Sequence, residues 1–235
     1  MLNIVIIGQN EGESIEKMLF SLRHINAKRI WVLDRCTDNS VEILKKYNEY
    51  YVETPSHLTG RQTSFSRNLG LSHCDINADV IFLDGDRYVV KGDFNMFNNY
   101  HTDISLFFIE EDSRDENYKG DGEFQYMPVQ YGKVMNGFYS CGIFFKREAI
   151  NKVLEFQDGK FFNEDIQDVW GIEDTYLGDV CYHLNLTCEF NKQIILHGKF
   201  DSVNFDDKGH KYSSISLDVM KRRFELRDKL NAIWS

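Results

Sequence analysis

Val80-Ile81-Phe82-Leu83-Asp84-Gly85-Asp86 is an apolar run that ends in two carboxylates separated by one glycine. Four consecutive apolar residues read as a buried strand, and the acidic pair falls where that strand leaves the core. Two carboxylates this close repel each other unless a proton or a cation sits between them, so the pattern asks for a divalent metal. Gly85 lets the backbone turn tightly there. Taken alone, the run reads more readily as a polar turn, and its neighbours must decide between the two.

Working outward, the first ninety residues alternate strand-like and helix-like patterns, the signature of a parallel α/β sheet. Residues 2–7 predict a strand. Residues 13–22 carry Ile15, Met18, Leu19 and Leu22 at helical spacing, and 30–33 is a second strand ending at Asp34. A helix over 40–47, a short strand over 50–53 and a helix over 63–71 lead into the run at 80–83. Ligands of such sheets collect at the carboxyl ends of the strands, which is where Asp34, Asp84 and Asp86 stand. Beyond residue 87 the regularity fades. Strands are expected at 104–109, 142–145 and 194–196, the last leading to His197, and helices at 147–154 and 173–184. An exposed acidic loop is expected at 110–122, a polar segment at 201–212 and an amphipathic helix at 215–234.

With 235 residues, 42% of them hydrophobic, the chain can bury a large core and reads as a single domain. Its parts would be 1–90, 91–200 and a terminal 201–235 of polar loop and helix. The formal charge of -10 gives no general attraction to nucleic acid or anionic membrane. No apolar stretch has transmembrane length and no secretory leader is visible. The five cysteines are odd in number and lack CxxC spacing, which fits free thiols in a reducing cytoplasm rather than a disulfide framework or a structural zinc site.

Five segments occur in an informative order: Ile4-Val5-Ile6-Ile7, Asn10-Glu11, Asp34 to Ser40, Arg67-Asn68-Leu69-Gly70 and Leu83-Asp84-Gly85-Asp86. Together they resemble the nucleotide-sugar half of the GT-A glycosyltransferases, especially the large family 2 type. The later Trp170-Gly171-Ile172-Glu173-Asp174 is similar to a segment of inverting members such as the β-1,4-galactosyltransferases. The resemblance implies a Rossmann-like GT-A domain with a mostly parallel central sheet flanked by helices. The activity it implies is metal-dependent, inverting transfer of a sugar from a nucleotide-sugar, a UDP-sugar by preference, to an acceptor hydroxyl.

The residue roles follow from the same resemblance. Asp86 would touch Mn²⁺ or Mg²⁺ directly, with Asp84 beside it or holding the sugar or ribose, and His197 would complete the metal site. A histidine ligand tilts the choice toward Mn²⁺. Asp34 would read the nucleobase, with Asn10 and Glu11 alongside the nucleoside. Arg61 and Arg67 could steady the diphosphate, and for Arg67 an internal salt bridge to Asp84 is an equally good account. Asp174 would be the general base and Glu173 would hold acceptor or sugar hydroxyls. Lys208 and Lys211 would reach phosphate from a lid. Each has a plainer reading: His197 as a strand-end histidine, Asp34 as a cap, Glu173 and Asp174 as acidic partners of a helix dipole, Lys208 and Lys211 as solvated charges.

Three other activities compete. A phosphatase with an Asp-x-Asp pair would carry it on the first strand. A nucleotidyltransferase would need a glycine-rich loop where Gly8-Gln9-Asn10-Glu11 stands. A glycan- or nucleotide-sugar-binding protein of the same fold would lack turnover. The acceptor stays open among glycan, lipid-linked, small-molecule and modified-nucleobase classes, and the cluster Lys221, Arg222, Arg223 and Arg227 could approach a phosphate-bearing one.

Overall fold

The structure is a computed structural model that describes residues 2–60, 62–113, 129–131, 134–136, 139–166, 172–200 and 225. Arg61, Trp170, Lys208, Lys211, the segment 201–212 and the basic cluster at 221–227 lie outside the described residues, as does the helix expected at 215–234 apart from Glu225. Among the described residues the strands are β1 (Leu2–Gly8), β2 (Lys28–Leu33), β3 (Tyr51–Glu53), β4 (Asp79–Asp84), β5 (Arg87–Lys91), β6 (Ile104–Ser113), β7 (Val129–Tyr131), β8 (Val134–Asn136), β9 (Gly142–Phe145) and β10 (Cys188–Phe200). The helices are α1 (Gly12–Ser21), α2 (Ser40–Lys46), α3 (Thr63–Ser72), α4 (Arg147–Phe156) and α5 (Ile172–His183).

Eight strands form one sheet in the order β3-β2-β1-β4-β9-β6-β10-β5. β1 runs parallel to both β2 and β4, β2 to β3, and β6 to β10. β9 is antiparallel to β4 and β6, and β5 to β10. Residues 2–7, 30–33 and 80–83 are almost wholly buried, which is why these strands are continuous apolar runs rather than alternating ones. The register aligns their carboxyl ends: Gly8 pairs with Leu33, and Ile7 pairs with Asp84. Asp34 and the Asp84–Asp86 turn therefore emerge at one edge. On the far side of β4 an aromatic cluster fixes the second half. Phe82 stacks on Phe161 at 5.7 Å and meets Phe162 edge-on at 5.2 Å, and Phe97 stacks on Phe144 at 4.3 Å.

Three expectations are corrected. β5 was not anticipated, although Arg87-Tyr88-Val89-Val90-Lys91 has strand-forming residues, because the sequence offers no turn marker after Asp86 beyond the pair itself. Residues 110–113 of the expected loop are strand, since β6 continues to Ser113 and pairs with β10 as far as Phe200, and 114–122 lie outside the described residues. His197 sits within β10 rather than at its end, held between β5 and β6.

Gly70 shows how tightly α3 is seated. A Cβ at this position would come within 2.3 Å of Val5 Cγ1 and 3.0 Å of Val32 Cγ2, so the backbone of the helix rests directly on valine side chains of the sheet. Gly70→Ala is expected to destabilise the fold by about 1–3 kcal/mol through overpacking, read as a lower midpoint in urea unfolding.

Candidate functional site

The edge formed by β1, β2 and β4 is built by short polar links between loops. Asn10, in a left-handed conformation with φ 60°, accepts from the Thr37 amide at 2.7 Å and the Asp38 amide at 3.3 Å through Oδ1. Asp38 in turn accepts from the Gly12 amide at 2.9 Å and from Ser40 N and Oγ at 3.0 and 2.6 Å. Burial raises the Asp38 pKa, but these hydrogen bonds outweigh it and hold the carboxyl below its ordinary value. One acidic side chain thus caps α1 and α2 together, and Asn10 is the pin of the loop after β2.

Asp34 is not the cap of α2. Its two oxygens take Arg35 Nε and Nη2, each at 2.7 Å, and Thr54 Oγ1 at 2.7 Å. Arg35 also donates to the carbonyls of Leu58 and Gly60 at 2.9 and 2.7 Å, fixing the segment before α3. A carboxylate offers about four lone-pair directions, so one remains for a further donor.

At the Asp84-Gly85-Asp86 turn, the Gly85 amide donates to Ile7 O at 2.7 Å. Gly85 is absent from the glycines with positive φ, so its use is clearance rather than a left-handed turn. A Cβ there would meet Glu11 Cγ at 3.0 Å and Ile7 O at 3.2 Å, and one at Gly8 would meet Glu11 Cγ at 2.8 Å. The stem of Glu11 lies between the two glycines, against the acidic turn. Asp86 pairs with Arg87 Nε at 3.3 Å.

Arg67 joins this turn to the later carboxylates. Its side chain is only 3% exposed, and Nη2 contacts Asp84 Oδ1 at 2.8 Å. Nε and Nη1 are buried without a hydrogen-bond partner. Burial alone would lower the Arg67 pKa, yet Asp84, Asp174 and Glu173 together raise it. The other members of the segment have separate tasks. Asn68 clamps the Phe162 backbone, accepting from N at 2.9 Å and donating to O at 2.8 Å, and also donates to Glu164 Oε1 at 2.8 Å. That clamp holds the approach to α5 against α3.

Glu173 and Asp174 occupy the first turn of α5, the position their plainer reading assigned them. Glu173 is buried. Asp174 Oδ1 accepts from Ser140 Oγ. Burial raises the Asp174 pKa; Arg67 and Ser140 work against that rise, and Asp84 adds to it. His197 pairs in register with Tyr88, two positions from Asp86, and its Nδ1 is 3.2 Å from the Tyr88 hydroxyl.

The structure thus brings Asn10, Glu11, Asp34, Arg67, Asp84 and Asp86 to one sheet edge, and Glu173 and Asp174 within electrostatic reach of Arg67. No three His, Cys, Asp or Glu side chains converge as a ready metal cage among the described residues. Ser140, Asn68, Arg35, Thr54 and Tyr88 have no role in the sequence reading; of these Asn68 and Arg35 stand inside recognised segments. All five cysteines are free. Among the described residues no helix is long and apolar enough to cross a membrane.

No protein-family model and no curated protein matches the sequence. Solved structures do match the fold. S. aureus TarS 1–349 in complex with UDP has a TM-score of 0.61 at 18% identity, over 84% of this chain and 60% of that one. The UDP-GlcNAc complex of TarS 1–349 gives 0.61 at 17%, over 94% and 63%. GalNAc-T7 with UDP, GalNAc and Mn²⁺ gives 0.59 at 14%, over 94% and 47%. The chain spans less than two thirds of the length of each. The fold is the α/β GT-A fold that the sequence resemblance implied.

Proposed function

We propose that the chain is a metal-dependent inverting glycosyltransferase that transfers a sugar from a UDP-sugar to an acceptor hydroxyl. The observation that carries this reading is Arg67, a buried cation that holds Asp84 at 2.8 Å and is drawn on by Asp174 and Glu173 as well. Donor-side and acceptor-side carboxylates share one charge, as a site needs when it binds a diphosphate beside a general base. The UDP bound by TarS and the UDP and Mn²⁺ bound by GalNAc-T7 support the choice of nucleotide and metal.

In this reading Asp34 accepts from the nucleobase with its remaining lone pair, while Asn10 and Glu11 shape the wall beside it. Asp86, Asp84 and His197 are the residues that would hold Mn²⁺ or Mg²⁺. Carboxylate oxygens with one imidazole suit Mn²⁺, though among the described residues these groups do not converge as a ready cage. A divalent cation bound there offsets the negative charge that builds on the departing diphosphate. Arg61, Lys208 and Lys211 are further phosphate contacts of the same proposal. Asp174 takes the proton of the attacking hydroxyl; Ser140 orients its carboxylate, and a pKa raised by burial gives it more affinity for that proton. Glu173 holds the acceptor or donor hydroxyls. The free thiols support a reducing compartment such as the cytoplasm.

A melting screen of nucleotide sugars with and without Mn²⁺ tests the donor site. A ligand at about 100 times its Kd stabilises the native state by about 2.7 kcal/mol, a readable shift. Asp86→Asn is expected to lose the metal-dependent part of that shift while melting normally without ligand. Absence of any shift, across nucleotides, nucleotide sugars and divalent metals, would refute the assignment.

A further inference from the structure

A second cleft lies between α1 and β5, apart from the acidic edge. β5 closes one side of the sheet, and the Val89 amide ties it to α1 by donating to Ser21 Oγ at 3.1 Å. The opening has a volume of about 420 Å³ and is lined by Lys17, Arg23, His24 and Lys91, with Phe20 and Tyr88. Small-molecule sites span roughly 300–1,000 Å³, so the cleft has the capacity of one.

It gathers basic groups in a chain whose net charge is acidic. Acidic residues exceed basic ones by ten, and Lys28, Arg29, Arg35, Lys46, Arg67, Arg87 and Lys160 each have a carboxylate within ion-pair distance. Among the described residues none of the four basic groups of the cleft has one. They are instead placed by aromatic faces and backbone. The Arg23 guanidinium lies 3.7 Å from the Phe20 ring centroid and donates to the Phe20 carbonyl at 2.5 Å, and Lys17 Nζ stands 5.9 Å from the Tyr88 ring. Phe20 is nevertheless 66% exposed, which leaves ring surface to cover. Positive groups gathered without a counter-charge, beside an uncovered aromatic ring, match a ligand that carries an anionic group on a partly apolar ring body. Guanidinium and ammonium groups together favour phosphate.

We propose that the cleft between α1 and β5 binds a sugar phosphate, with Lys17, Arg23, His24 and Lys91 around the phosphate and the sugar ring against Phe20. The site goes beyond the donor site but borders it, because Tyr88 lines the cleft and contacts His197 at 3.2 Å. Its ligand can therefore be sensed from the metal side without sharing the donor's groups.

Calorimetric titration of the full chain with glucose 1-phosphate, and separately with inorganic phosphate, tests this. Lys17 and Lys91 are exposed, so the double variant K17E/K91E is expected to melt as the parent does and to bind glucose 1-phosphate at least tenfold more weakly. Phe20→Ala should weaken glucose 1-phosphate by more than it weakens inorganic phosphate, because it removes the surface for the sugar ring while Arg23 loses only its ring contact and keeps its bond to the residue-20 carbonyl. Binding should persist in Asp86→Asn and with UDP and Mn²⁺ present, which separates this cleft from the donor site: loss of UDP binding would leave the sugar-phosphate result standing. Unchanged affinity in K17E/K91E, displacement by UDP, no heat of binding, or binding to anionic phosphatidylserine vesicles in place of glucose 1-phosphate would each overturn it.

Discussion

Asp174→Asn is expected to keep UDP-sugar binding and to lower turnover by about 10²–10⁴-fold, the usual worth of a positioned general base. The amide keeps the shape and can still accept from Ser140 Oγ, so the orientation of α5 is retained while the proton acceptor is removed. The same substitution has a stability signature that a passive helix-capping aspartate would not give. Burial raises the Asp174 pKa in the folded state. Between the unfolded pKa and that raised value the folded chain binds more protons than the unfolded one, so this group's contribution falls as pH rises through the window. Asp174→Asn is therefore expected to be more stable than the parent at neutral pH and to lose the advantage in acid, read as urea midpoints across pH. Near-normal turnover would remove Asp174 as the base. A neutral-pH stability below that of the parent would instead mark it as a favourable dipole partner of α5.

The first half of the fold was legible because its cues are local. Buried parallel strands write themselves as apolar runs, and the residues just past their ends fall at one edge whatever the side chains do afterwards; hence the place of Asp34, Asp84 and Asp86 at that edge follows from position alone, while their roles come from the resemblance. Chemistry that depends on partners distant in sequence was not legible. Nothing near Asp34 announces that Thr54 and Arg35 occupy most of its lone pairs, and nothing near Asp174 points to Ser140, 34 residues away. For Arg67 the sequence leaves two accounts level, phosphate contact or salt bridge to Asp84, and the 2.8 Å pair realises the salt bridge. Gly85 was read as a conformational device and is in fact a spacer, because the stem of Glu11 packs where its side chain would be. Backbone freedom and side-chain clearance leave the same letter in a sequence.

Arg67→Met is expected to cost about 3 kcal/mol of stability, the low end of the loss when one partner of a buried pair is removed. The low end applies because Asp84 keeps about a third of its side chain in water and can recover hydration. The loss is not a cavity effect, since methionine follows much of the same stem. What disappears is the positive charge that offsets three carboxylates, and with it the pull that opposes the burial-driven rise at Asp174. The Asp174 pKa should then climb further, the folded variant should take up protons at higher pH than the parent, and the stability deficit should shrink steadily as pH falls. A deficit of equal size at every pH would identify Arg67 as packing alone. Arg67→Lys separates charge from geometry. It retains the cation but replaces the planar fork by a single ammonium, so it should recover part of the stability and the parent pH dependence. Donor binding should recover less completely, because a single ammonium does not hold Asp84 at the acidic turn with the geometry of the planar fork.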